Sequence, residues 1–335
     1  MTQRYRFSGY AASAAEPNVV VDGSPNECTV LTLTHWPGFV QPEGFRFDLS
    51  AEMAFHHLDA PIAHPAAAIV TNNHFDQDGL VCVHALVNPE ISVEHRELLI
   101  DVASAGDFAT FTDRRAARAS MAIDAYADVD RSPMAASLVG PYDDQCAALY
   151  EETLPLLVSI AVDGDRFREL WADEDGQLTS SEAAIAEGIV TIDELPDVDL
   201  AVVTIPDSET SRRGHRFAGM SFDSIHPMAL HNATERFRLL VIHGRRFQFV
   251  DRYETWVQYR SRRPLPRVDM RPLADQLTAI EQGSTTWTSA APGSLTPTLR
   301  VDGESSLDPD SVRKLMVAHL STSPPAWDPY TSQDS

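Results

Sequence analysis

The stretch of this sequence best suited to chemistry is Asn73-His74-Phe75-Asp76-Gln77-Asp78-Gly79. Asp76 and Asp78 stand two apart in a turn rather than a strand, so both carboxylates can converge on one cation, and Gly79 frees the backbone for the bend. Hard cations such as Mg²⁺ and Mn²⁺ take carboxylate oxygens; a histidine ligand, for which His74 is placed, moves the preference toward Mn²⁺ or a similar transition metal. The plainer reading is a polar turn joining strand to helix with Asp78 as its N-cap. His35, in Thr34-His35-Trp36-Pro37-Gly38, terminates the preceding strand. On parallel neighbouring strands it would share the sheet edge with residues 74–78; otherwise it packs beside Trp36. Asp101 and Asp107 each stand at an element end, and either could bridge a two-metal pair. Asp48 and Glu52, one helical turn apart, are outer ligands or a solvated helix face.

A second set of residues suits anions. Between Arg212 and Arg267 twelve arginines oppose four acids, a local +8 in a chain of net charge −23. Arginine forks match phosphate oxygens, which makes Arg245, Arg246 and Arg252 candidates for holding a small phosphorylated substrate; exposed strand faces with ordinary ion pairs are the alternative. The acidic total argues against general nucleic-acid binding. His226 and His231, five apart, form either a ligand pair or two packing histidines. Asp173-Glu174-Asp175-Gly176 with Glu182 imitates a calcium loop, but the first ligand position falls on Trp171, which cannot coordinate calcium.

The elements that must position these groups follow from periodicity and punctuation. Cys28-Thr29-Val30-Leu31-Thr32-Leu33-Thr34 reads as a strand, and Asp48 or Ser50 opens a helix through about Leu58. Ala66-Ala67-Ala68-Ile69-Val70-Thr71 is a continuous apolar run of the kind buried on both faces of a parallel sheet. Leu80 to Val87 reads as a helix after the acidic turn. Helices are expected near 92–104, 113–128 and 143–171, and Thr179-Ser180-Ser181-Glu182 reads as a capping box opening another. Strands follow at 200–205, 237–242 and 247–259, then helices at 271–281 and 308–320. No apolar run reaches the roughly 20 residues that span a bilayer, the start lacks the apolar core of a signal peptide, and three widely spaced cysteines fit reduced thiols. A soluble, cytoplasmic protein is expected.

Two resemblances rest on these residues. Through Thr34-His35-Trp36-Pro37-Gly38, Asp48-Leu49-Ser50-Ala51-Glu52, residues 73–79, Ala105-Gly106-Asp107-Phe108 and Arg252-Tyr253-Glu254-Thr255-Trp256-Val257, the chain resembles a bacterial family of uncharacterised proteins. Locally, Ile69-Val70-Thr71-Asn72-Asn73-His74-Phe75-Asp76-Gln77-Asp78-Gly79 is similar to the first motif of the DHH phosphoesterases. That resemblance implies a two-metal Mn²⁺ or Mg²⁺ site hydrolysing phosphoesters or phosphoanhydrides. The Asp-His-His triplet and the glycine-rich histidine motif of that superfamily are absent from this sequence.

The expectation is an α/β protein: a largely parallel sheet flanked by helices over 1–175 carrying the metal site, an arginine-rich α+β lobe over 176–320, and a loose tail over 321–335. The function expected is a Mn- or Mg-dependent hydrolase of a phosphoester or phosphoanhydride. Asp76 and Asp78 would be catalytic, and His74, Asp76, Asp78, Asp107 and His35 would be metal ligands. The alternatives are a non-catalytic binding protein that retains the metal turn, and a metal-dependent amide or ester hydrolase needing no phosphate-holding arginine. Oligomeric state is not set by these features.

Overall fold

A computed structural model describes residues 5–207 and 224–331; the start of the arginine-rich segment, 212–223, lies outside them. The protein is α/β, and the chain divides into two compact units, Met1–Gly176 and Gln177–Ser335.

The first unit runs β1 (Arg6–Phe7), α1 (Tyr10–Ser13), β2 (Asn18–Val21), β3 (Thr29–Leu33), α2 (Ser50–Asp59), β4 (Ile69–Thr71) and α3 (Gln77–Val87). Helices α4 (Pro89–Glu94), α5 (Arg96–Asp107), α6 (Arg114–Ala127), α7 (Tyr142–Thr153) and α8 (Leu157–Val162) follow, and α9 (Arg168–Ala186) begins in this unit and ends in the second. Its four strands lie in the order β1-β4-β2-β3, and every pairing is parallel. The central strand β2, Asn-Val-Val-Val, is wholly buried, as β-branched residues covered on both faces should be. It separates β3 from β4, so those two strands are not direct neighbours. The C-terminal ends of all three nonetheless open on one sheet edge, where α/β folds place ligands.

Helix α3 carries the acidic turn into the interior: every residue from Gln77 to Leu86 is buried. It lies against α5 at Gly106, where an added Cβ would stand 2.5 Å from the Gln77 Cβ. The Gln77 amide in turn donates to the Ser120 carbonyl and hydroxyl of α6, at 3.0 Å each. A glycine is thus needed for three helices to hold the metal turn at the sheet edge.

In the second unit β5 (Thr191–Leu195), β6 (Leu200–Ile205), α10 (Pro227–Ala233), β7 (Arg238–His243), β8 (Arg246–Asp251), β9 (Arg267–Val268) and α11 (Arg271–Ile280) precede β10 (Trp287–Ser289), β11 (Thr298–Val301), α12 (Pro309–Thr322) and β12 (Pro325–Trp327). A six-stranded sheet of order β10-β11-β8-β7-β6-β5 is antiparallel except at β6·β7. Leu273, Leu277, Val312 and Met316 of α11 and α12 close one face of it.

Three expectations are corrected here. Thr179-Ser180-Ser181-Glu182 lies inside α9 rather than opening a helix, because Trp171, Asp175 and Leu178 already form a buried helical stripe upstream. The strand expected over 247–259 stops at Asp251, where the buried Arg252 turns back to pair with Glu254. The tail is not loose throughout: β12 pairs with β9, and Trp327 lies under the Arg267 guanidinium at 4.9 Å. No helix among the described residues is long and apolar enough to cross a membrane.

Replacing Gly106 with Ala should cost about 1–3 kcal/mol, the range for overpacking a close helix contact. Denaturant unfolding measures it, and an unchanged midpoint would show that α3 and α5 can separate freely.

Candidate metal centre

Three strand ends build the site. After β2 the chain turns sharply at Asp22, whose φ of +48° is a left-handed conformation that Asp tolerates better than most residues. Beyond β3 comes His35, and beyond β4 come His74, Asp76 and Asp78. The last residue of α5 adds Asp107. Two overlapping groups result: Asp22, His35, Asp78 and Asp107, and then Asp22, His74 and Asp76, with one ligand atom from each member lying within 4.8 Å of the others in its group. Asp22 is common to both.

Helix α2 supplies the local positive pole. The Ser50 and Ala51 N–H groups donate to the two Asp78 oxygens at 2.9 and 2.7 Å, so the positive end of the helix dipole meets a buried carboxylate. The Ser50 hydroxyl donates to Asp22 Oδ1 at 2.8 Å and accepts the His35 N–H at 3.2 Å. One serine thus ties together all three strand ends. Glu52 takes the Asp48 and Leu49 N–H groups at 3.0 Å each, so it caps α2 rather than facing the site.

His35 is oriented by a backbone carbonyl. Its Nδ1 lies 2.6 Å from the Asp48 carbonyl oxygen, which can only accept, so Nδ1 carries the proton. Burial lowers this imidazole below its ordinary 6.5 despite the pull of Asp22. A neutral ring then directs the Nε2 lone pair at Asp107 Oδ2 (3.4 Å), Asp22 Oδ1 (3.5 Å) and Asp78 Oδ2 (4.0 Å). A lone pair aimed among carboxylate oxygens is the arrangement of a histidine metal ligand held by its other nitrogen. The donor set of carboxylates and imidazoles fits a divalent cation.

His74 behaves oppositely. Burial works against its charge, but Asp76 and Asp22 outweigh it and raise the imidazole well above 6.5. Nε2 lies 2.8 Å from Asp76 Oδ2 and 3.4 Å from Asp22 Oδ2, and Trp36 stacks on the ring with centroids 5.2 Å apart. Asp76 Oδ1 accepts the Gly79 N–H at 2.9 Å, making Asp76, not Asp78, the N-cap of α3. Burial, Asp22 and Asp76 together push the Asp78 carboxyl well up, against the Ala51 and Ser50 donors.

The structure therefore brings together His35, His74, Asp76, Asp78 and Asp107. It adds Asp22, which sequence reasoning passed over, and Ser50, which was read only as a possible helix cap. The signal for Asp22 was present: Val19-Val20-Val21-Asp22-Gly23 is a strand-length apolar run closed by Asp-Gly. Asp101 lies apart from this group, accepting the Thr112 and Asp113 N–H groups at 2.9 and 2.7 Å to tie α5 to α6. The three arginines belong to the second unit. Arg252 is buried and pairs with Glu254; Arg245 donates to the Leu307 carbonyl at 2.6 Å; Arg246 contacts His243 at 3.0 Å. His226 caps α10, its Nδ1 accepting the Met228 N–H at 3.1 Å.

A four-stranded parallel sheet whose open edge gathers overlapping carboxylate–imidazole groups marks an α/β protein with a candidate metal-binding cluster. The chain belongs to a family of unknown function (DUF6687), whose family model matches residues 3–331. No curated protein matches it. Among solved structures, an exopolyphosphatase-related protein from Bacteroides fragilis is similar at 12% identity and a TM-score of 0.28; the match covers 89% of this chain but 64% of that one, less than two thirds of its length.

Both His74 and Asp78 hold protons more tightly folded than unfolded, so each contributes stability that is lost as pH rises through its raised value. His35 has the opposite shift, which acts below 6.5. Metal-free protein should therefore lose stability from pH 7 to 8.5 in denaturant unfolding with chelator present, and His74→Gln should flatten the slope. A flat wild-type profile would show that neither proton is held.

Proposed function

We propose that this protein is a divalent-metal-dependent hydrolase acting on a phosphoester or phosphoanhydride, with two cations sharing Asp22. The observation that carries this reading is the overlap of the two groups at that one carboxylate. His35, Asp78 and Asp107 would complete one half of the centre, and His74 and Asp76 the other. Such a pair, when bound, supplies a water of lowered pKa and charge stabilisation for phosphoryl oxygens.

The chain's own residues prepare the site for this. The Asp48 carbonyl keeps the His35 lone pair turned inward. The α2 amides hold Asp78 with both oxygens fixed. His74, whose imidazole Asp76 and Asp22 raise, would have to give up its Nε2 proton before it could ligate a cation, so loading would release a proton. Substrate would approach beside His74 and Asp76, whose side chains are 18% and 12% exposed while Asp22 is 1% and His35 fully covered. Arg252, one of the three arginines expected to hold a phosphate, is engaged with Glu254 in the interior.

The near-complete burial of the His35 half favours a second reading, a non-catalytic binding protein whose cations are structural. The two separate in one series. Wild type with Mn²⁺ should turn over at least one of pyrophosphate, a nucleotide or a phosphodiester, lose activity to chelator, and bind two ions per chain. Asp22→Asn should fall about 10³-fold in kcat, the scale on which removing one transition-state-stabilising group acts, and should bind fewer ions. Two bound ions without turnover of any substrate would favour the binding protein. Equal metal content in wild type and Asp22→Asn would remove the metal reading altogether.

A further inference from the structure

Three kinds of contact hold the His74 ring. Its Nε2 faces Asp76 Oδ2 at 2.8 Å and Asp22 Oδ2 at 3.4 Å, Trp36 stacks on its face with centroids 5.2 Å apart, and Nδ1 meets Asn73 Oδ1 at 3.4 Å. The last contact has a defined direction. Asn73 Oδ1 also takes the Ser24 backbone N–H at 3.2 Å, and a backbone N–H can only donate, so the atom in that place is the amide oxygen. An amide oxygen only accepts. His74 Nδ1 therefore carries a proton and donates it.

Asn73 thereby joins two of the strand ends that build the centre. Ser24 follows Asp22 by two residues after β2, and Asn73 directly precedes His74 after β4. A neutral imidazole has one N–H and one lone pair, and the partner of one nitrogen decides what the other offers. Beside Asp76 and Asp22, a neutral ring without further guidance favours its proton on Nε2, where carboxylates accept it. It then offers a cation no lone pair on that side. An acceptor at Nδ1 opposes this choice. The Asp48 carbonyl serves His35 in the same way, but there the acceptor is main chain, whereas at His74 it is a side chain that a substitution can remove.

We propose that Asn73 is the positioning residue for His74: its side-chain oxygen holds the proton on Nδ1 and so presents the Nε2 lone pair to the cation that Asp76 and Asp22 also bind. The inference rests on the metal reading above. It deepens that reading by naming the group that makes the more open half of the centre able to ligate. A hydrogen-bond partner behind a ligating histidine governs metal affinity by about 10- to 100-fold.

The test uses the full chain and Mn²⁺ alone, with affinity read by titration calorimetry. Asn73→Leu, close in size but without an acceptor, should bind about 10-fold or more weakly at one of the two sites and unchanged at the other. Asn73→Asp, which keeps an acceptor oxygen in the same place, should bring that site back to within about threefold of wild type or better. Asn73→Ala gives the same comparison should Asn73→Leu fold poorly. If Asn73 merely pins the Ser24 turn, its loss displaces Asp22, which serves both halves, and both sites weaken alike; that pattern overturns the proposal. Wild type that binds two ions, with Asn73→Leu and Asn73→Ala equal to it within about twofold, overturns this proposal and leaves the hydrolase reading standing. Wild type that binds no Mn²⁺ overturns both.

Discussion

Asp22, Asp76, Asp78 and Asp107 share one desolvated patch with His35 and His74, and four carboxylates cannot all stay ionised there unless positive charge is supplied. Much of the first unit can be understood as the means of supplying it. The N-terminus of α2 points at Asp78 and the Ser50 hydroxyl at Asp22. The His74 Nε2 lies between Asp76 and Asp22, and burial beside these acids raises the Asp78 carboxyl. Each of these is a partial answer, because helix dipoles and shared protons neutralise fractions of a charge. What remains uncompensated favours cations.

Access to the patch is uneven. Asp22 and His35 are sealed beneath the sheet edge, whereas His74 and Asp76 keep some contact with solvent. The two histidines follow this division. Desolvation prevails at His35 and lowers its pKa; at His74 the neighbouring carboxylates prevail and raise it. The same residue type is therefore shifted in opposite directions within one cluster.

How much of this was legible in the sequence depends on where the information lay. The acidic turn and its buried strand were readable because polar residues after an apolar run have few other uses. Asp107 and His35 were readable only as candidates, since their convergence depends on strand order. Asp22 was missed because a four-residue strand beginning with Asn and following Pro17 gives little periodicity, and β2 is recognisable mainly from its two neighbours. Ser50 was read as a possible cap. Its three roles, through N–H, hydroxyl hydrogen and hydroxyl oxygen, require coordinates that no spacing rule supplies. In α9 a local capping signal was outweighed by a buried stripe extending across it, the usual outcome when tertiary burial competes with end chemistry.

The arginine-rich segment shows a different limit. A count of charges treats every guanidinium as surface potential, yet Arg267 is wholly buried, donating to Thr255 and to the carbonyls of Pro292, Ser294 and Leu295. Arg238 pairs with Asp251 in the interior and reaches the Val198 and Pro266 carbonyls, and Arg252 pairs with Glu254. Five donors in a planar fork let one arginine satisfy several loop carbonyls at once, which is why it can replace secondary structure in holding irregular chain. A buried pair of this kind contributes little field at the surface. The charge asymmetry of the sequence thus measures, in large part, how the second unit ties down its loops, and only the more exposed arginines such as Arg245 bear on what an anion approaching that unit would meet.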